Sequence, residues 1–197
     1  MTQEQFDILF NKAKEIMLTS KDPVHNWGHI QRVIKNAQEI LKKLPLDIQE
    51  KVDEKLLILC CAWHDVSHAS CAPGFIQKFL EGRRSAKIIN EFFSTANVKE
   101  SEKFLVADNA IRHTMKELRF LGKSNLSIYH KIMQDADWLD NFYAPRVAQL
   151  EAQVKKSLYA FVVIKFLKPL FYNWQKNNMH LFLNFKETTA VYLESKK

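Results

Sequence analysis

Four side chains in three separated stretches of this chain have the types and order of a metal site: His29, the adjacent pair His64 and Asp65, and Asp137. Two imidazoles and two carboxylates make a mixed nitrogen and oxygen donor set. That set suits a borderline divalent ion such as manganese, iron, cobalt or nickel better than calcium or copper(I). A buried carboxylate beside an imidazole needs a positive partner, because an unpaired charge away from water is expensive. An ion supplies that partner, and a metal site is the first reading of the chain.

The words around these residues are "DPVHNWGHIQRV" from Asp22 to Val33, "LLILCCAWHDVSH" from Leu56 to His68, and "KIMQDADWLDNF" from Lys131 to Phe142. In content and order they resemble the HD-domain phosphohydrolase superfamily, and most of all its small single-domain bacterial subgroup, over Asp22 to Asn141. The segment "NFKETTAVYLESK", Asn184 to Lys196, is similar to that subgroup's terminal helix. A His-Asp dipeptide alone is common by chance; three matching words in the right order are specific.

The resemblance implies an all-α HD-domain bundle holding a divalent ion, Mn, Fe, Co, Ni or Mg, on His29, His64, Asp65 and Asp137. It further implies hydrolysis of a phosphate ester or phosphoanhydride of a small phosphorylated metabolite, with a nucleotide as the favoured substrate. The chemistry follows from an open coordination position. Binding lowers the pKa of water from about 15.7 toward neutrality, and the ion offsets charge growing on a phosphate oxygen. Phosphate release and pyrophosphate release both fit.

Other residues are expected around this plan. Asp65 is assigned to catalysis as well as to the ion. His68, a short loop beyond the His-Asp pair, and His113 in "NAIRHTMKEL" are candidates for proton exchange or phosphate contact; an ordinary core or surface histidine is the alternative for each. His113 matches a histidine that many relatives place in the pocket. His25 is read as a pocket group or as a cap. Arg32, three residues after His29, is the first choice for a phosphate clamp, with a surface ion pair as its alternative. Arg83, Arg84 and Lys123 are further anion-binding candidates, while Asp140 is placed to support Asp137 from outside the ligand set and Asp135 to face away, about 200° round the helix.

Two departures from the family pattern stand out. Asn26 occupies a place where relatives carry an Asp, and in "EGRRSAKII" Arg83 and Arg84 stand where relatives carry acids. Glu81 fills that role only in a different register. Those arginines support an alternative function, a catalytically impaired HD domain that senses a nucleotide or an RNA end.

Helices must position these groups. Apolar residues recur at the helical period from Glu4 to Leu18 and from His29 to Leu44, where Pro45 ends the run. A further helix is expected to start at Asp47 and run toward His64. Its segment Leu56 to Trp63 is apolar nearly all round, which places it centrally. With only 4 glycines and 5 prolines in 197 residues, the chain reads as long helices with short joints rather than a sandwich or barrel. One domain is expected over 1–197, with a core at 22–142 and a helical extension at 143–197 packing on it.

The formal charge of +7 favours anionic partners without choosing among them. The scattered lysines of the C-terminal third read as solvated faces before a nucleic-acid groove. Cys60, Cys61 and Cys71 form no disulfide pattern, so a reducing cytoplasm is expected. The apolar run from Leu158 to Phe171 carries Lys165, Lys168 and Pro169 and falls short of the ~20 residues that span a bilayer. The aromatic-rich stretch from Tyr159 to Trp174 is read as packing on the bundle, as a lid or as a dimer surface. Monomer and homodimer both remain open.

Overall fold

The protein is described by a computed structural model that covers residues 1–71, 75–113, 126–153, 161–162, 165, 174 and 177–194. The described residues form helices and joints, with no strand among them. In order these are α1 (Gln3–Leu18), α2 (Trp27–Lys43), α3 (Leu46–Gln49), α4 (Glu54–Trp63), a 3₁₀ turn (Val66–Ala69), α5 (Phe75–Thr95), α6 (Glu100–His113), α7 (Ile128–Asp140), α8 (Ala144–Gln153), α9 (Met179–Phe182) and α10 (Glu187–Glu194). The all-α bundle expected from the sequence is what the chain forms.

Side-chain oxygens set several helix starts. Thr2 and Gln5 form a reciprocal capping box on α1, and Asn26 accepts from the His29 backbone to begin α2. Gly28 makes room for that cap, since a Cβ there would lie 3.2 Å from the Asn26 oxygen. The helix therefore begins at Trp27, and His25 lies in the loop before it. Ser127 caps α7 through the His130 amide.

The stretch after Pro45 differs from its sequence reading. Asp47 falls in the single turn of α3, and α4 starts afresh because the Asp53 carboxylate accepts from the Leu56 amide. The Tyr129 hydroxyl accepts from the Asp53 amide at 2.9 Å, tying this start to α7.

Helix α4 is the centre. Leu57, Leu59, Cys60, Cys61, Ala62 and Trp63 are fully buried, and α1, α2, α6 and α7 pack around them. Trp63 meets Phe92 and Phe93 of α5, with ring centroids 5.8 and 5.4 Å away. The longest run of contacts to α7 comes from α2, where buried Asn36 donates to the Ala136 carbonyl and accepts from the Tyr143 hydroxyl.

The C-terminal elements join the same core through Met179, Phe182, Val191 and Tyr192. Asp135, fully buried, receives hydrogen bonds from the backbone amides of Asn184 and Phe185, the Asn184 side chain and the Thr188 hydroxyl. Of the aromatic stretch, Tyr159, Phe166, Phe171 and Tyr172 lie outside the described residues, as does Lys123. Phe161 and Trp174 are exposed, and Trp174 sets its ring edge-on to Phe182. Among the described residues no helix is long and apolar enough to cross a membrane.

Candidate metal centre

Two backbone-level facts orient the first imidazoles. His64 follows directly on α4, so the turn lets its Nδ1 donate to the Cys61 carbonyl at 2.7 Å. His29 sits in the first turn of α2 and donates Nδ1 to Asp140 Oδ2, also at 2.7 Å, across the α2–α7 contact. With Nδ1 carrying the proton in each ring, both Nε2 atoms present a lone pair.

Those lone pairs converge on carboxylate oxygens. His29 Nε2 lies 3.4 Å from Asp65 Oδ2 and 3.3 Å from Asp137 Oδ1. His64 Nε2 lies 3.2 Å from Asp65 Oδ2. His113, the last residue of α6, adds Nε2 at 3.7 Å from both Asp65 Oδ1 and Asp137 Oδ2. All five residues are buried.

Lone pairs and carboxylate oxygens repel one another in a dry site, and His29 Nε2, His64 Nε2 and Asp65 Oδ2 make no hydrogen bond. A cation between them removes that conflict. Ligand atoms about 2.1 Å from one ion and at right angles to each other are about 3 Å apart, close to the separations seen. His29, His64 and Asp137 each offer an atom within 4.8 Å of the others, as do His64, Asp65 and His113. The residues fit a divalent ion.

Electrostatics point the same way. Burial acts to raise the Asp65 carboxyl, but the imidazoles gathered around it, His64 and His25 foremost, hold it well below the usual carboxylate range. Burial and the nearby Arg146 charge push the His29 imidazole down, which favours the neutral ring a ligand needs.

A second cluster adjoins the first. The Asp22 carboxylate accepts from His25 Nδ1 at 2.6 Å and lies 3.4 Å from His68 Nδ1, while His68 Nε2 donates to Glu81 at 3.1 Å. The His25 and His68 rings stack with centroids 4.1 Å apart. His25 then turns its Nε2 toward Asp65 Oδ2, at 4.0 Å. Burial works against a charged His68, yet the Asp22 and Glu81 hydrogen bonds outweigh it and raise the ring to about 10. Burial and the neighbouring His68 and Arg146 charges press His25 well below its ordinary value. A cationic His68 thus faces a neutral His25.

The cationic candidates are distributed otherwise. Arg32 grips Asp140 with Nε and one Nη. Arg83 and Arg84 are exposed on α5; Arg83 lines a surface groove with Lys87, Asn90 and Ile111, and Arg84 reaches Cys71 Sγ at 3.3 Å. On the same helix Glu81 points inward, so an acid does face the pocket, two residues before the first arginine. Sequence reasoning passed over Asp22 and Arg146. Asp22 was readable as the acid three residues ahead of His25; Arg146, on α8, had no signal beyond a lone basic residue in an apolar run.

The described residues form a helical domain with side-chain clusters that could hold a metal ion, and the comparisons give it a family. The HD-domain family model matches residues 26–141, more than half of the chain, and the chain belongs to that family. A search of curated protein sequences gave no match. Among solved structures, one similar chain is a structural-genomics target from Lactobacillus plantarum, at 19% identity and a TM-score of 0.60. The alignment covers 79% of this chain and 65% of that one, so this chain spans about two thirds of its length. Another is a predicted HD superfamily hydrolase from an uncultured Thermotogales bacterium, at 22% identity and a TM-score of 0.55, covering 84% of this chain and 91% of that one. At these identities the likeness concerns the fold.

Proposed function

We propose that this protein is a metal-dependent phosphohydrolase that cleaves a phosphate ester or phosphoanhydride of a small metabolite, with nucleotides as the substrate class. The observation that carries the reading is the convergence of His29 Nε2, His64 Nε2 and Asp65 Oδ2, all buried and without hydrogen bonds, beside Asp137. Membership of the HD-domain family supports it.

A divalent ion held by His29, His64, Asp65 and Asp137 supplies Lewis acidity, acidifying water and offsetting phosphoryl charge. The chain's own groups do the rest. Asp140 fixes the His29 tautomer, and the Cys61 carbonyl fixes that of His64. Asp22 holds the His25 ring so that a proton-accepting Nε2 faces Asp65. His113 closes the opposite side, where it can donate to a phosphate oxygen. His68, protonated between Asp22 and Glu81, keeps that pair of carboxylates compatible with a buried pocket.

The sensor alternative draws on Arg83 and Arg84. Their exposure, with Glu81 turned inward, favours the enzyme. The test uses full-length protein stripped of metal and refilled with Mn²⁺, Co²⁺, Ni²⁺ or Mg²⁺, incubated with a panel of nucleoside mono-, di- and triphosphates. Phosphate or pyrophosphate release that vanishes in Asp65→Ala supports the proposal. Tight nucleotide binding with no turnover in any metal supports the sensor, and turnover unaffected by Asp65→Ala removes the mechanism.

A further inference from the structure

We propose that Arg146 is the anion-binding residue of this centre, taking oxygens of the phosphoryl group; the proposal rests on the phosphohydrolase reading for the identity of the anion. Three observations support it. First, arginine is almost never fully buried unless it is paired, yet Arg146 is 4% exposed, as enclosed as His113 at 4% and Asp65 at 2%. Second, its pairing is incomplete. One Nη donates to the Val24 carbonyl in the loop that carries Asp22 and His25. Its Nε lies 3.8 Å from Asp140 Oδ2 and makes no hydrogen bond.

Third, the carboxylate it faces is already engaged. Asp140 accepts from Arg32 on both oxygens and from His29 Nδ1, so one negative charge serves two guanidiniums. A guanidinium has five N–H donors and keeps its charge under all ordinary conditions. The planar fork matches a phosphate edge in two parallel hydrogen bonds, which a lysine cannot reproduce. The other described arginines are committed or turned outward: Arg32 to Asp140, Arg84 to Cys71, Arg112 to Asp108, and Arg83 exposed on α5.

The experiment is calorimetric titration of inorganic phosphate into the Mn²⁺-loaded full chain, with metal content measured on the same samples. Arg146→Gln is expected to weaken phosphate binding at least tenfold while ion stoichiometry stays at the wild-type value. Arg146→Lys, which keeps the charge and the buried length, should recover only part of the affinity. Phosphate affinity within twofold of wild type in Arg146→Gln overturns the proposal, as does a wild-type protein that loads metal and binds no phosphate. Should the Gln variant not fold, the Lys variant decides by the same twofold limit. If the wild type takes up no ion but binds phosphate through Arg146, this inference stands and the metal-dependent reading falls.

Discussion

His29 of α2 and Asp140 of α7 meet at 2.7 Å although 111 residues separate them, and that single bond fixes which nitrogen of the ring faces the ligand cluster. The same carboxylate holds Arg32 and stands 3.8 Å from Arg146, so one acid ties a ligand, a helix pair and a buried cation together.

Asp140→Asn is therefore predicted to be costly on two counts. Removing the charge leaves two guanidiniums without their shared partner, a loss of about 3–5 kcal/mol for a buried pair. Loss of the orienting carboxylate weakens metal affinity by about 10–100-fold. Urea unfolding and metal titration measure the two effects separately; wild-type behaviour in both would remove Asp140 from its assigned place.

Asp135 makes a contrasting prediction. It accepts hydrogen bonds from Asn184 and Phe185, just before α10, and from Thr188 in the first turn of α10. Asp135→Ala should cost about 1.5–3 kcal/mol, the range for a charged hydrogen-bonding group, and should lower amide protection in α10. Metal loading should persist. Hydrogen exchange followed by mass spectrometry reads the first and metal analysis the second.

The buried His68 gives a pH dependence in the metal-free protein. Its folded value is raised to about 10 against an ordinary 6.5, so the folded state holds the proton more tightly. The stability this contributes is fully present below pH 6.5 and is lost as the pH rises through about 10. Unfolding free energies between pH 6 and pH 10 should fall more steeply in wild type than in His68→Gln. Parallel curves would show that Asp22 and Glu81 do not retain the proton.

At the centre of the bundle, Trp63 is fully buried against Phe92 and Phe93, immediately before His64. Trp63→Ala should cost about 3–5 kcal/mol by opening a cavity. Thermal melts of wild type and variant check it, and a loss below about 1 kcal/mol would contradict the packing described.

Much of this was legible in the sequence, for identifiable reasons. The central place of α4 followed from a segment apolar on every side, and α2 from its periodic apolar face. That Asp135 turns away from Asp137 followed from about 100° per residue; what it turns toward, Asn184 and Thr188, depends on a contact some 50 residues away that no local pattern encodes. The start of α4 at Asp53 rather than Asp47 turned on which of two acids could cap, and both precede apolar residues. Glu81, Arg83 and Arg84 lie within four residues of one another, where a small change of helical phase decides which enters the pocket. Arg146 became visible only when α8 was folded back over the loop before α2.

The central claim is that side chains from α2, the end of α4 and α7 share one cation. Metal analysis after loading with Mn²⁺ and desalting tests it most directly. The account predicts one ion bound at the centre in wild type, and its loss in both His64→Ala and Asp65→Ala while each variant still unfolds cooperatively. A folded wild-type protein that retains no ion, or variants that retain it with undiminished affinity, would contradict it.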